Sequence, residues 1–238
     1  MKEYKSISIQ SFEHYRKISD SSDFALYRGQ NKDYDLKPSI ARQRNRKNLL
    51  QVENLVFMNF KERFPFFKKE NKLFQPKTDW DFLVTAQHFG LKTRLLDWSS
   101  SPFVALWFAT SLDLENNGYG VVWIYKAEKN KIMDYTSLPN NPFGIRKTIV
   151  FQPKVKGNGR VYNQKSWFTA HYFDEVDYSL PFDKQEKNSD ILTKLTIPSS
   201  IFPELRNSLK NIKDISAETL FNSIDKMSED INRTLAPN

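Results

Sequence analysis

Three stretches of this 238-residue chain gather side chains whose types and spacing could do chemistry. The first is Tyr27-Arg28-Gly29-Gln30, an arginine at the close of an apolar run. Burying a guanidinium at a strand end is costly unless a carboxylate or phosphate pairs with it, so Arg28 serves either an internal salt bridge or a bound anion. The second is Ala86-Gln87-His88-Phe89-Gly90-Leu91-Lys92-Thr93-Arg94-Leu95-Leu96-Asp97-Trp98-Ser99-Ser100-Ser101-Pro102. It sets an imidazole, a guanidinium, a carboxylate and a run of hydroxyls around two helix ends and a strand. Hydroxyls at a helix start sit where exposed N–H groups and the helix dipole receive a phosphate or pyrophosphate. Ordinary capping with an Arg94–Asp97 ion pair accounts for the same residues without a ligand. The third, Arg160-Val161-Tyr162-Asn163-Gln164-Lys165-Ser166-Trp167-Phe168-Thr169-Ala170-His171, reads as an amphipathic strand with aromatic residues.

Several other chemistries have no residues to run on. His14, His88 and His171 are widely spaced and no His-Glu-x-x-His exists, so no metal site is expected. There is no Gly-rich loop ending in Gly-Lys-Ser/Thr, no Gly-x-Gly-x-x-Gly and no Gly-x-Ser-x-Gly. The absence of cysteine removes disulfides, thiolate nucleophiles and sulfur-bound zinc.

The elements that must position these side chains follow from spacing and punctuation. A short helix is predicted over 11–18 with Ser11 as its cap, and an apolar strand over 24–28 closed by Gly29. Residues 49–67 read as an amphipathic helix with a basic side in water. Thr78-Asp79-Trp80-Asp81 is a capping box for a helix over 79–89, with Gly90 as a left-handed stop. A strand over 93–98 follows, then a buried helix opened by Ser101-Pro102. Further strands are expected over 121–125, 148–151 and 191–197, polar loops over 126–147 and 174–189, and a closing helix over 217–235. This irregular interspersion predicts an α+β fold, a single domain with mixed or antiparallel sheets and helices at both ends. No apolar run approaches the roughly 20 residues of a membrane helix, and no apolar stretch follows the first charges. A cytoplasmic protein without membrane contact is expected.

The charge is unevenly spread. Residues 1–77 hold 17 Lys and Arg against 9 Asp and Glu, whereas the remainder holds 19 of each sign, so the net +8 belongs to the first third. Arg42, Arg44, Arg46 and Lys47 form its densest part. Such a field attracts phosphates, of RNA, DNA or a small ligand, although a solvated face that aids solubility has the same composition. The chain thus divides into a basic helical third, 1–77, and a mixed core, 78–238.

Taken together, the motifs resemble the FRG domain family, named for the aromatic-Arg-Gly motif that here is Tyr27-Arg28-Gly29. The resemblance continues through Leu36-Lys37-Pro38-Ser39-Ile40-Ala41-Arg42, Gln87-His88-Phe89-Gly90-Leu91-Lys92-Thr93-Arg94-Leu95-Leu96-Asp97-Trp98, Pro102 to Ala109 with Ala105-Leu106-Trp107-Phe108-Ala109, Arg160, Gln164, Phe168-Thr169 and Leu220-Phe221-Asn222-Ser223-Ile224-Asp225. It implies one FRG-like domain over 1–238. A second, weaker resemblance is to arginine-type ADP-ribosyltransferases, in which an aromatic-Arg-Gly strand end holds NAD. Asp97-Trp98-Ser99 followed by Val104-Ala105-Leu106-Trp107-Phe108-Ala109 is similar to their Ser-Thr-Ser strand leading into a helix bearing Ala-x-x-Phe-Ala, with Ser99 in place of the last serine. At the position of their late glutamate this chain offers Gln164.

The second resemblance implies NAD as substrate, bound by Tyr27, Arg28, Gly29, Asp97, Trp98 and Ser99, with Arg28, His88 and Gln164 as catalytic residues. Arg28 would clamp phosphate or ribose, Ser99 would orient the nicotinamide ribose, and His88 would contact a ribose hydroxyl or take the acceptor's proton. Gln164, helped by Asp97 or Glu175, would sit by the reacting carbon, with Tyr27, Trp98 or Phe168 stacked on nicotinamide. The family resemblance points to a bacterial toxin or phage-defence effector, whose partners would be a nucleic acid acceptor and an antitoxin or chaperone. A non-catalytic nucleic-acid or nucleotide-binding module, and a purely structural interaction domain, are the alternatives.

Overall fold

The structure, a computed structural model, describes residues 4–20, 23–42, 49–67, 75–112, 118–154, 159–173, 181–185, 188 and 190–221. Its centre is β4 (Tyr119–Tyr125), in which Gly120 to Tyr125 are buried without alternation, as befits a strand covered on both faces. β2 (Leu26–Gln30) and β8 (Leu192–Pro198) flank it antiparallel, and β1 (Lys5–Ser8) adds to β8 in parallel. On the other side β3 (Leu95–Ser99), β7 (Ser166–Ala170) and β6 (Ile149–Phe151) pair antiparallel, and the two-residue β5 (Ile132–Met133) closes that edge in parallel. The sheet order is β1-β8-β4-β2-β3-β7-β6-β5, so the fold is α+β with one mixed eight-stranded sheet.

The two halves of that sheet are joined at a single point. β2 and β3 share one residue pair, Tyr27 with Ser99, whereas β2 and β4 share five and β3 and β7 share five. Beyond Tyr27 the strands part, and the sheet forks.

Each half has its own helical cover. On the β2–β4–β8 half lie α1 (Phe12–Ser19), α4 (Pro102–Thr110) and α6 (Phe202–Lys213), whose Phe12, Leu106, Ala109 and Leu205 close over Val122 and Leu195. On the β3–β7–β6 half lie α2 (Leu49–Phe67) and α3 (Asp79–His88), whose Phe57, Trp80 and Leu83 pack on Leu95, Phe151 and Phe168. The opposite face of the sheet buries Leu96, Trp98, Trp123 and Tyr125 beneath Leu36 and Phe182. Two glycines allow α4 its close approach: a Cβ on Gly29 would lie 1.8 Å from the Ala105 carbonyl oxygen, and one on Gly120 would lie 2.2 Å from that of Ala109.

The caps act as their residue types require. Ser11 Oγ accepts from the His14 N–H, Thr78 and Asp81 form a reciprocal box, and Gly90 has φ +85°.

Four expectations need correction. Gly29 does not end its strand: β2 continues to Gln30 because Gly29 pairs with Val122. Residues 160–171 are not one strand; α5 (Gly159–Asn163) turns through Lys165, at φ 47°, into β7. The Ser101 hydroxyl makes no cap bond to α4; its backbone N–H is held instead by Ser99 Oγ at 2.9 Å. The polar stretch 126–147 contains β5 and three short 3-10 turns. Of the closing helix only α7 (Ala217–Phe221) falls within the described residues.

Candidate functional site

A cleft of about 300 Å³ opens in the fork of the sheet. Its floor is the parting ends of β2 and β3: Tyr27, Arg28 and Gly29 on one side, Asp97, Trp98 and Ser99 on the other. The end of α3 brings Gln87 and His88 to it, α4 walls it with Val104, Ala105 and Phe108, and the turn from α5 into β7 adds Gln164. All eight catalytic and NAD-binding candidates drawn from the sequence therefore line one cavity.

Arg28 is the centre of its polar network. Its Nη1 donates to the Asp97 backbone oxygen at 2.6 Å and lies 3.8 Å from Asp97 Oδ2, while its Nε is buried without a partner among the described residues. The forking explains the first contact: a carbonyl on a strand edge that its neighbour has left takes a side-chain donor instead. Burial pushes the Arg28 guanidinium below its usual value, Asp97 works against that shift, and Arg42 adds to it. With its side chain 16% exposed, Arg28 holds a positive charge at the cleft wall.

Asp97 is itself held. Gln87 Nε2 donates to its Oδ2 at 2.9 Å, and the Thr93 hydroxyl donates to Gln87 Oε1, which fixes the amide's direction. Ser99 Oγ donates to the Gln164 backbone oxygen at 2.7 Å, tying β3 to the α5–β7 turn. That tie leaves the Gln164 side chain over the cleft, with its Nε2 buried and unpartnered among the described residues. Tyr27 is anchored by a bond to the Ser19 backbone oxygen (2.8 Å); the Trp98 ring, bonded to Thr169 Oγ1 (3.0 Å), packs on Tyr125 in the core of the opposite face of the sheet and is not open for stacking on a ligand in the cleft.

The expected Arg94–Asp97 pair does not form. Arg94 turns away from the cleft to Glu53 of α2, and Asp97 faces Arg28. Three extended steps, an odd number, separate Arg94 from Asp97, so the two side chains leave the chain on opposite faces and take different partners. His171, the third histidine, is structural: it contacts Thr169 Oγ1 at 2.9 Å, and burial pushes it down to about 3, with Arg94 and Arg28 repelling its proton. Among the basic candidates, Arg42 is exposed and bonds the Lys37 carbonyl; Arg44, Arg46 and Lys47, like Glu175, lie outside the described residues. Among the described residues no group of three His, Cys, Asp or Glu could hold a metal ion, and no helix is long and apolar enough to cross a membrane.

Residues 23–118 match the FRG domain family.

The FRG match thus covers Arg28, His88, Asp97 and Ser99 but ends before Gln164, and the Arg160 to Thr169 and Leu220 to Asp225 motifs fall outside it. No curated protein and no solved structure matches the chain. Two participants escaped the residue-by-residue reading. Gln87 was visible only as part of a motif, because its partner Asp97 is ten residues away and meets it through the α3–β3 turn. Val104 likewise stands out only inside the Val104 to Ala109 stretch and carries no chemical signal beyond the helical pattern that buries it.

Proposed function

We propose that this FRG-domain protein is an NAD-dependent ADP-ribosyltransferase-like enzyme, a bacterial toxin or phage-defence effector that modifies RNA or DNA in the cytoplasm. One observation carries the reading: Arg28, His88, Ser99 and Gln164, remote in sequence and without a local reason to meet, line one cleft. Its size is at the low end of small-molecule pockets, which suits one nucleotide half of NAD inside and the other at the rim.

The polar groups suit that substrate. A pyrophosphate demands buried donors, and Arg28 Nε and Gln164 Nε2 are buried donors that have no acceptor among the described residues. Breaking the bond between nicotinamide and ribose sends the electron pair to the departing ring and leaves a cationic sugar, which an acceptor oxygen or nitrogen attacks. In this reading Arg28 clamps phosphate, Ser99 orients the ribose, and Gln164 and Asp97 lie near the reacting carbon. His88 takes the acceptor's proton, and Tyr27 or Phe168, which line the cleft, offers a face to nicotinamide. The basic first third attracts the nucleic-acid acceptor, and an antitoxin or chaperone would silence the enzyme by covering the fork.

Incubation with nicotinamide-labelled and adenylate-labelled NAD tests the reading. Release of free nicotinamide with label on RNA or DNA, both abolished by Arg28→Ala, is the expected result. Neither product from the folded wild-type chain would refute it.

The same unpaired donors favour a second reading, a nucleotide-binding module without turnover, because they would hold a phosphate whether or not a bond breaks. In that case nucleotides and oligonucleotides bind without nicotinamide release, and oligonucleotide affinity falls steeply with salt.

A further inference from the structure

We propose that Asp97 supplies the negative charge that faces the glycosyl cation, and that Gln87 is the positioning residue that aims it; this rests on the transferase reading above. A cationic sugar is stabilised by an anion, and a glutamine amide has none to give. Among the described residues that line the cleft, Asp97 is the single acid. Its side chain is 60% exposed, so it opens toward solvent and ligand and is not sealed in a structural pair.

The carboxylate is also oriented. Oδ2 accepts from Gln87 Nε2 at 2.9 Å and stands 3.8 Å from Arg28 Nη1, while Oδ1 has no hydrogen-bond partner among the described residues. One oxygen is therefore fixed and the other is left for the substrate. Thr93, through its hydroxyl on Gln87 Oε1, forces the amide to present its N–H₂ to Asp97. Arg28 reaches the same residue through its backbone, 2.6 Å from the Asp97 carbonyl oxygen. A long arginine–carboxylate separation with a short arginine–carbonyl bond keeps the carboxylate from being neutralised in a close fork. Gln164, by contrast, turns a buried N–H₂ on the cleft, which suits the phosphates better than a cation.

With water as acceptor the step balances simply. The C1′–N bond breaks, its electron pair leaves with neutral nicotinamide, water adds to C1′, and one proton is released. Asp97 makes no covalent bond; it lowers the energy of the cation between the two events.

The test measures NAD hydrolysis and NAD binding on the full chain. Asp97→Asn keeps shape and exposure but loses the charge: kcat should fall by about a hundredfold or more while the NAD dissociation constant moves within about threefold. Gln87→Leu should lower kcat by about tenfold or more with KM little changed. Gln87→Glu puts an acceptor where Asp97 needs a donor and should lower kcat at least as far as Gln87→Leu with KM little changed, a split that a merely structural residue would not show. Wild-type hydrolysis with undiminished turnover in Asp97→Asn would overturn this inference alone, as would an Asp97→Asn defect confined to binding. Absence of nicotinamide release from the wild type, both with and without RNA or DNA present, would overturn the transferase reading and this inference with it.

Discussion

The substitution Glu53→Gln should unfold this protein's centre more readily than any surface change, and its cost follows from the geometry. Glu53, on α2, accepts three bonds from Arg94: the backbone N–H at 2.8 Å, Nε at 3.0 Å and Nη2 at 2.7 Å. Both side chains are 1% exposed, and the guanidinium is flanked by the Phe143 and Phe173 rings at 5.0 and 5.4 Å. The amide keeps the shape but leaves a buried cation without its counter-charge, a loss of roughly 3–5 kcal/mol. In a domain of this size that lowers Tm by about 10 °C. Urea unfolding followed by circular dichroism, with the slope unchanged, measures it. The paired variant Glu53→Met with Arg94→Met removes both charges and should recover most of the loss. A deficit of about 1–3 kcal/mol would remain for the backbone N–H left without an acceptor. A single-variant cost below about 1 kcal/mol, or a double variant no better than the single, would refute the argument that the uncompensated charge is what matters.

Two further outcomes follow from burial. Gly29→Ala must push α4 off β2, because the new Cβ meets the Ala105 carbonyl oxygen, so it should cost more than the ~1–3 kcal/mol of ordinary overpacking. Gly90→Ala has nothing within 4 Å and should cost only about 1 kcal/mol for its positive φ; equal losses in the two thermal melts would contradict the steric account. His171 is held down to about 3 by burial and by Arg94 and Arg28, against about 6.5 in an unfolded chain. Between those values the unfolded chain binds the extra proton, so stability falls as pH drops through the window, by up to about 1.4 kcal/mol per pH unit. His171→Gln should show a shallower fall between pH 6.5 and 4 in urea titrations; parallel curves for variant and wild type would rule out a neutral buried imidazole.

Much of the fold was readable because its signals are local. Ser11, Thr78 with Asp81, and Gly90 announce helix ends through bonds spanning three or four residues. The apolar run from Val121 to Tyr125 needs no partner to be recognised as a central strand. Where the reading went astray, a distant element had decided the outcome. Gly29 looks like a turn residue from its neighbours alone, yet its lack of a side chain answers to Ala105, on a helix 76 positions later. The helix-to-strand change at Lys165 depends on the Ser99 hydroxyl and the Ser100 N–H, which hold the carbonyls of Gln164 and Lys165 and shape the turn.

The candidate site shows the same division more sharply. Arginine in an apolar strand end signalled a paired cation, but residue type could not say which acid would pair with it. Arg94 and Asp97 are three apart, and in a helix they would meet; in an extended chain three steps reverse the face. Arg94 therefore belongs to the α2 core with Glu53, and Asp97 belongs to the fork with Arg28. This partition is what gives the cleft its chemistry. The fully buried pair satisfies itself and fastens the start of β3, whereas the half-open one leaves Arg28 Nε and one oxygen of Asp97 uncommitted among the described residues. A sheet joined by one residue pair at Tyr27 and Ser99 is the geometric condition for that difference: had β2 and β3 stayed paired past that point, each other's backbones would have occupied the edge. The Asp97 carbonyl would then have no use for a guanidinium, and no space would remain between the strands for a ligand.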